Sequence, residues 1–73
     1  MKDRPILNNF AANIKRIRIE RGLSQLDAAL EAGVDPTQWS RYERSVKGPS
    51  LEAIVGIANA LKVPVGVLFE NLK

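Results

Sequence analysis

The sequence contains neither cysteine nor histidine. Without cysteine there is no disulfide framework, and a reducing compartment fits. Without histidine the commonest metal ligand and the commonest general base are both missing. Catalysis would need a nucleophile–base pair, a bound metal or a cluster of carboxylates, and the residues supply none of these. Catalytic residues, metal ligands and cofactors are therefore expected to be none, and the chain is not read as an enzyme. Aromatics are also few, with one Trp, one Tyr and two Phe. Long apolar runs are missing too. The longest, residues 63–69, is interrupted by Pro64 and Gly66, and a bilayer span needs about 20 apolar residues. Met-Lys-Asp-Arg-Pro at the N-terminus does not lead into the apolar core of a signal peptide. A soluble protein with no membrane partner is the expectation.

What is present is a chain of 73 residues, enough for one domain near the lower size limit for a core that folds unaided. Its net charge of +3 is unevenly placed. Residues 15–21 hold Lys15, Arg16, Arg18 and Arg21 against Glu20, four minus one, or +3. Residues 24–48 hold Arg41, Arg44 and Lys47 against Asp27, Glu31, Asp35 and Glu43, three minus four, or −1. Bulk charge alone makes only a weak case for a polyanionic partner, so the positions of the cations matter more than their number.

Periodicity predicts an all-α fold of five short helices, with an N-terminal arm over 1–8 and a domain over 9–73. The first helix spans Asn9 to Arg21, with Phe10, Ile14 and Ile17 on one stripe and Gly22 at the left-handed stop position. The second covers about 24–32, opening at Ser24 as N-cap with Asp27 three residues on. The third covers about 36–44, with Asp35 as N-cap and Pro36 at the first helical position, where a missing N–H costs nothing. The fourth follows Pro49-Ser50 and carries Leu51, Ile54, Val55, Ala58 and Leu61 on one face. The fifth follows Pro64, with Val65, Leu68, Phe69 and Leu72 at helical spacing.

The short third helix is the informative one. At 100° per residue, Thr37, Ser40, Arg41 and Arg44 fall in a sector about 100° wide, while Trp39, Tyr42 and Glu43 lie opposite. One face is hydroxylated and cationic; the other is aromatic and suited to a core. A helix ending at Gly33 and another starting at Asp35 make a helix-turn-helix, the unit that places its second helix in the major groove of DNA.

The sequence resembles the lambda-repressor and Cro-like, or XRE-type, helix-turn-helix family over roughly residues 10–69. The resemblance runs through Ile14-x-x-Ile17-Arg18, Gly22-Leu23-Ser24-Gln25, Ala29, Gly33-Val34, Ser40-Arg41-Tyr42-Glu43-Arg44, Pro49-Ser50, Ile57-Ala58-x-Ala60-Leu61, Val63 and Leu68. It implies a compact domain whose third helix reads double-stranded DNA. It also implies that Ser24 and Gln25 contact backbone phosphate, and that Arg18 of the first helix pairs structurally with Glu43. A cytoplasmic, nucleoid-associated regulator from a bacterium, phage or plasmid is implied as well. Four positions depart from the family pattern: Ala28 stands where a leucine is usual, Trp39 replaces a small aliphatic residue, Ser45 replaces a glycine, and Pro36 occupies the first base-reading position.

Arg41 is the expected base reader, because its planar fork matches guanine O6 and N7. Ser40 lies beside it on the same face. Thr37 has two readings, contact with a thymine methyl or phosphate, or solvation of the helix start. Gln38 also has two: reading adenine, or returning a hydrogen bond to the Asp35 backbone as the third helical residue. Arg44 and Lys47 suit phosphate contacts, with ordinary exposed charge as the alternative for Lys47. Trp39 is assigned to the core. On the second helix, helical spacing groups Leu26, Ala29, Leu30 and Gly33, whereas the family register buries Ala28, Ala29 and Ala32 and leaves Leu26, Leu30 and Ile19 exposed.

A sequence-specific transcriptional regulator, a repressor in its simplest form, is the leading expectation. The alternative is a protein-interaction module, antitoxin-like or accessory, that keeps the fold with little DNA reading. Because one domain offers few base-reading side chains, a homodimer on two half-sites is expected, paired through the fifth helix by Val67 and Leu72.

Overall fold

The computed structural model describes residues 5–71. Four α-helices follow one another over α1 Pro5–Glu20, α2 Gln25–Ala32, α3 Pro36–Glu43 and α4 Leu51–Leu61, and a 3₁₀ helix, Val65–Phe69, closes the chain. No strand occurs among the described residues.

The starts of α2, α3 and α4 are each capped by a side chain. Ser24 accepts from the Asp27 N–H at 2.9 Å, Asp35 from the Thr37 N–H at 2.8 Å, and Ser50 from the Ala53 N–H at 3.0 Å. These bonds satisfy donors that the first turn of a helix leaves unpaired. α1 begins four residues ahead of the expected Asn9, with Pro5 as its first residue. A proline is well placed there, and residues 5–8 of the expected arm are thus helical. The remaining arm, 1–4, lies outside the described residues, as does Leu72.

All four α-helices end in the same paired-bond stop, in which two backbone N–H groups beyond the helix return to carbonyls of its last turn. The stop needs one left-handed residue. Gly22 and Gly33 supply it after α1 and α2, whereas Ser45 (φ 62°) and Lys62 (φ 61°) supply it after α3 and α4. A side chain in that conformation costs about 1–2 kcal/mol. The family glycine that Ser45 replaces thus has a backbone reason.

The core gathers Phe10, Ile14 and Ile17 of α1, Trp39 of α3, Ile57 and Leu61 of α4, and Leu68. Phe10 stacks on Phe69 with ring centres 5.5 Å apart and meets Tyr42 edge-on at 6.1 Å. α2 and α4 pack together, and each buries small residues: Ala28, Ala29 and Ala32 on α2, and Ala53, Ala58 and Ala60 on α4. At Gly56 the approach is closest: a β-carbon there would sit 2.2 Å from the Ala32 carbonyl oxygen. Only glycine permits that crossing.

Two sequence expectations need correction, on α4 and on the fifth helix, and one open alternative, on α2, is decided. α4 buries Ala53, Ile57, Ala58, Ala60 and Leu61, and leaves Leu51 and Val55 exposed. Its inward face is rotated by roughly a quarter turn from the expected stripe, because α2 docks on the small Ala53–Gly56 edge rather than on the large side chains. On α2 the register of Ala28, Ala29 and Ala32 holds, so Leu26, Leu30 and Ile19 are exposed. The expected fifth α-helix is a five-residue 3₁₀ helix, as suits a segment holding Gly66 just after Pro64. Leu68 alone is fully buried in it, and Val67 packs against the core instead of facing outward.

Asn13 ties this last segment to α1. Its fully buried side-chain amide donates to the Leu68 carbonyl at 3.0 Å and to the Glu70 carbonyl at 2.8 Å. Both are end-of-helix carbonyls that lack a helical partner.

Candidate nucleic-acid interface

α3 is held from its inner side. Trp39 is fully buried and Tyr42 nearly so, and burial raises the Tyr42 phenol pKa above its ordinary value. Beneath them lies the carboxylate of Glu43, whose side chain is only 3% exposed. Arg18 grips it with two prongs, Nε to Oε2 at 2.6 Å and Nη2 to Oε1 at 3.2 Å. The indole N–H of Trp39 donates to Oε2 at 2.6 Å, and the Gln25 amide donates to Oε1 at 2.9 Å. Arg18 also donates to the Leu23 carbonyl at 2.8 Å. One carboxylate therefore joins α1, the start of α2 and α3.

The charge state of Glu43 follows from these partners. Burial alone pushes its pKa up, but the hydrogen bonds from Arg18, Gln25 and Trp39 and the charge of Arg18 outweigh it. The net effect holds the carboxyl below its ordinary value near 4.5. Glu43 is ionised at neutral pH and fully partnered.

The outer side of α3 is differently furnished. Thr37, Arg41 and Arg44 are exposed, Ser40 is half-buried between them, and Lys47 stands exposed in the loop that follows. Neither Arg41, Arg44 nor Lys47 has a carboxylate within salt-bridge reach among the described residues; the ion pairs there are Arg18–Glu43 and the surface pair Arg16–Glu20. Arg21 donates to the Lys62 carbonyl at 3.4 Å. Three cations without an ion pair thus lie along α3 and the loop beyond it, while Lys15, Arg21 and Lys62, also without one among the described residues, lie elsewhere on the surface. Ser24 keeps its hydroxyl proton available at the exposed start of α2, since its oxygen is the part used in capping. Gln25 has one amide N–H left beyond the bond to Glu43.

Gln38 takes neither of its two expected positions cleanly. It is half-buried, and its side-chain oxygen is sealed from solvent with no hydrogen-bond partner. The return bond to the Asp35 backbone would use that oxygen and is therefore not made. Gln38 instead borders a cleft with Tyr42, Ser50 and Ala53. Two members of the Glu43 cluster, Gln25 and Trp39, were not legible as such in the sequence. The Trp39–Glu43 spacing of four residues on one helix is the signal that points to their contact. Among the described residues no group of His, Cys, Asp and Glu could hold a metal ion, and no helix is long and apolar enough to cross a membrane.

Comparison with known proteins agrees with this geometry. A family model described as helix-turn-helix matches residues 14–68. The cryptic phage CTXphi transcriptional repressor RstR of Vibrio cholerae is 32% identical over 62 residues, covering 85% of this chain and 56% of RstR. The chain thus spans about half the length of that curated relative. The restriction-modification controller protein C.AhdI from Aeromonas hydrophila superposes with a TM-score of 0.83 at 32% identity, over 86% of this chain and 96% of C.AhdI. The restriction-modification controller protein C.Esp1396I, solved as a tetramer in complex with its natural 35 base-pair operator, superposes with a TM-score of 0.82 at 30% identity, over 92% and 88% of the two chains. The chain belongs to the lambda-repressor-like, XRE-type helix-turn-helix family.

Proposed function

We propose that this chain is a sequence-specific double-stranded DNA-binding regulator of transcription, acting as a repressor. One observation carries the reading: α3 is locked inward through Glu43 while Arg41, Arg44 and Lys47 stand outward with no protein counter-charge. A cationic helix face held rigidly by its other side is what groove entry requires, since bound geometry is then paid for by folding. Arg41 reads guanine, with Ser40 and Thr37 beside it. Gln38 adds at most its amide N–H groups, because its oxygen is sealed. Arg44, Lys47, Ser24 and Gln25 contact phosphate and set the register. The similarity to a phage repressor and to operator-bound controllers supports the same reading. Such a protein works in the cytoplasm, and nucleoid association is the finer expectation.

A homodimer completes the reader. With Val67 partly buried against the core, the pairing surface is assigned instead to Leu51 and Val55 of α4, both exposed, together with an apolar groove lined by Ile6, Leu7, Pro49, Ile54 and Phe69. A second copy across a two-fold axis would cover this face and put two α3 helices one DNA turn, about 34–36 Å, apart.

Selection of bound sequences from a random duplex pool tests the proposal. The expected result is an enriched site with two inverted half-sites, each containing guanine. No enrichment, together with no binding of any duplex at low salt, would contradict it.

A further inference from the structure

We infer that the first turn of α3 reads a thymine by its 5-methyl group, using the Pro36 ring and the Thr37 methyl as an apolar contact surface. The inference rests on the proposal that α3 enters the major groove, and it assigns what the leading end of that helix recognises. Hydrogen-bond readout is restricted there in three ways, leaving the Thr37 hydroxyl and the Gln38 amide N–H groups as the polar atoms on offer. Pro36, exposed at the first helical position, has neither a backbone N–H nor a polar side chain. The Thr37 N–H is already given to the Asp35 carboxylate at 2.8 Å, which occupies that donor. Gln38 cannot supply the adenine match, which needs the amide oxygen to accept from N6 while the amide nitrogen donates to N7. Its oxygen is buried and has no hydrogen-bond partner.

What remains outward at this end is a pyrrolidine ring and the exposed Thr37 side chain, with its methyl and hydroxyl groups. The thymine methyl is the one apolar group that base pairs present in the major groove. Arg41 lies four residues, about one helical turn, further along the same outer face. The half-site therefore pairs a thymine read by shape with a nearby guanine read by charge.

The test uses the duplex obtained by selection. Each thymine is replaced in turn by deoxyuridine, which keeps the hydrogen-bonding edge and lacks only the methyl. Wild-type protein should lose about fourfold in affinity at one thymine per half-site, the effect of leaving about one methyl group unburied. The scan needs no variant, so it stands even if substitutions disturb folding. A Pro36→Ser/Thr37→Ser double variant, checked by its melting curve, should bind the thymine and uracil duplexes alike. If no thymine is methyl-sensitive while Arg41→Ala still lowers affinity, α3 reads DNA but not in this way. If the double variant keeps the full thymine–uracil difference, other residues read the methyl and the assignment is overturned. If selection yields no preferred site, the regulatory reading fails and this inference fails with it.

Discussion

A single carboxylate, that of Glu43, takes four hydrogen bonds from side chains on three helices. Removing it would strand the Arg18 guanidinium, the Trp39 indole N–H and the Gln25 amide together. Breaking a buried ion pair from one side costs about 3–5 kcal/mol. Glu43→Ala should therefore lower the melting temperature steeply in a domain of this size, and an unchanged melt would contradict the cluster. Acid provides a second readout. Because the folded carboxyl titrates below its unfolded value, its stabilisation is complete above about pH 4.5 and is lost as pH falls through the folded value. Stability measured across acidic pH should fall less steeply in Glu43→Gln than in the parent chain; an equal slope would mean Glu43 does not titrate differently on folding. The Arg18–Glu43 pairing could be expected from the family resemblance, but Gln25 and Trp39 could not. Their bonds depend on how three helices converge, and residue spacing within one helix reveals at most the Trp39 contact.

At the scale of helices, local chemistry and long-range packing differ in how openly they are written. The caps at Ser24, Asp35 and the stop at Gly33 stand in the sequence because each is a short-range pattern of residue types. Lys62, which holds the same left-handed stop as Gly33, does not advertise it. Lys62→Gly should relieve that strain and raise stability by up to about 1 kcal/mol, whereas Lys62→Ala should bring no gain. Equal melting temperatures for all three chains would remove the strain argument. The inward face of α4 departs from the apolar stripe for a related reason: periodicity weighs large side chains, while α2 approaches closest at Gly56. Gly56 is decisive there. Gly56→Ala would drive a methyl into the Ala32 carbonyl and force the helices apart, at a cost of about 1–3 kcal/mol. That outweighs the gain in helix propensity of about 1 kcal/mol that alanine brings elsewhere in a helix. A Gly56→Ala chain as stable as the parent would mean that α2 and α4 do not cross this closely.

The molecule as a whole measures 32 × 23 × 21 Å, so a single copy reaches no further than one half-site. The all-α class and the helix-turn-helix were legible from turn residues and from the two-faced third helix. The surface proposed to pair two copies was not, because it depends on which apolar residues the fold leaves over. Val67 is partly buried against the core, while Leu51 and Val55, expected inside, are exposed. A Leu51→Glu/Val55→Glu double variant should sediment as a monomer where the parent chain associates, and should lose cooperative filling of the two half-sites. Unchanged association would place the seam elsewhere.

The central claim is that α3 divides its work, with Arg41 supplying sequence preference and Arg44 supplying general affinity. Affinities for the selected duplex and for a random duplex, measured over a range of salt for the parent chain, Arg41→Ala and Arg44→Ala, test it most directly. The account predicts that Arg41→Ala loses about 1–3 kcal/mol on the selected duplex and much less on the random one. It predicts that Arg44→Ala weakens both alike and reduces the salt slope by about one unit. Equal losses on both duplexes for Arg41→Ala, or binding by the parent chain that does not change with salt, would contradict it.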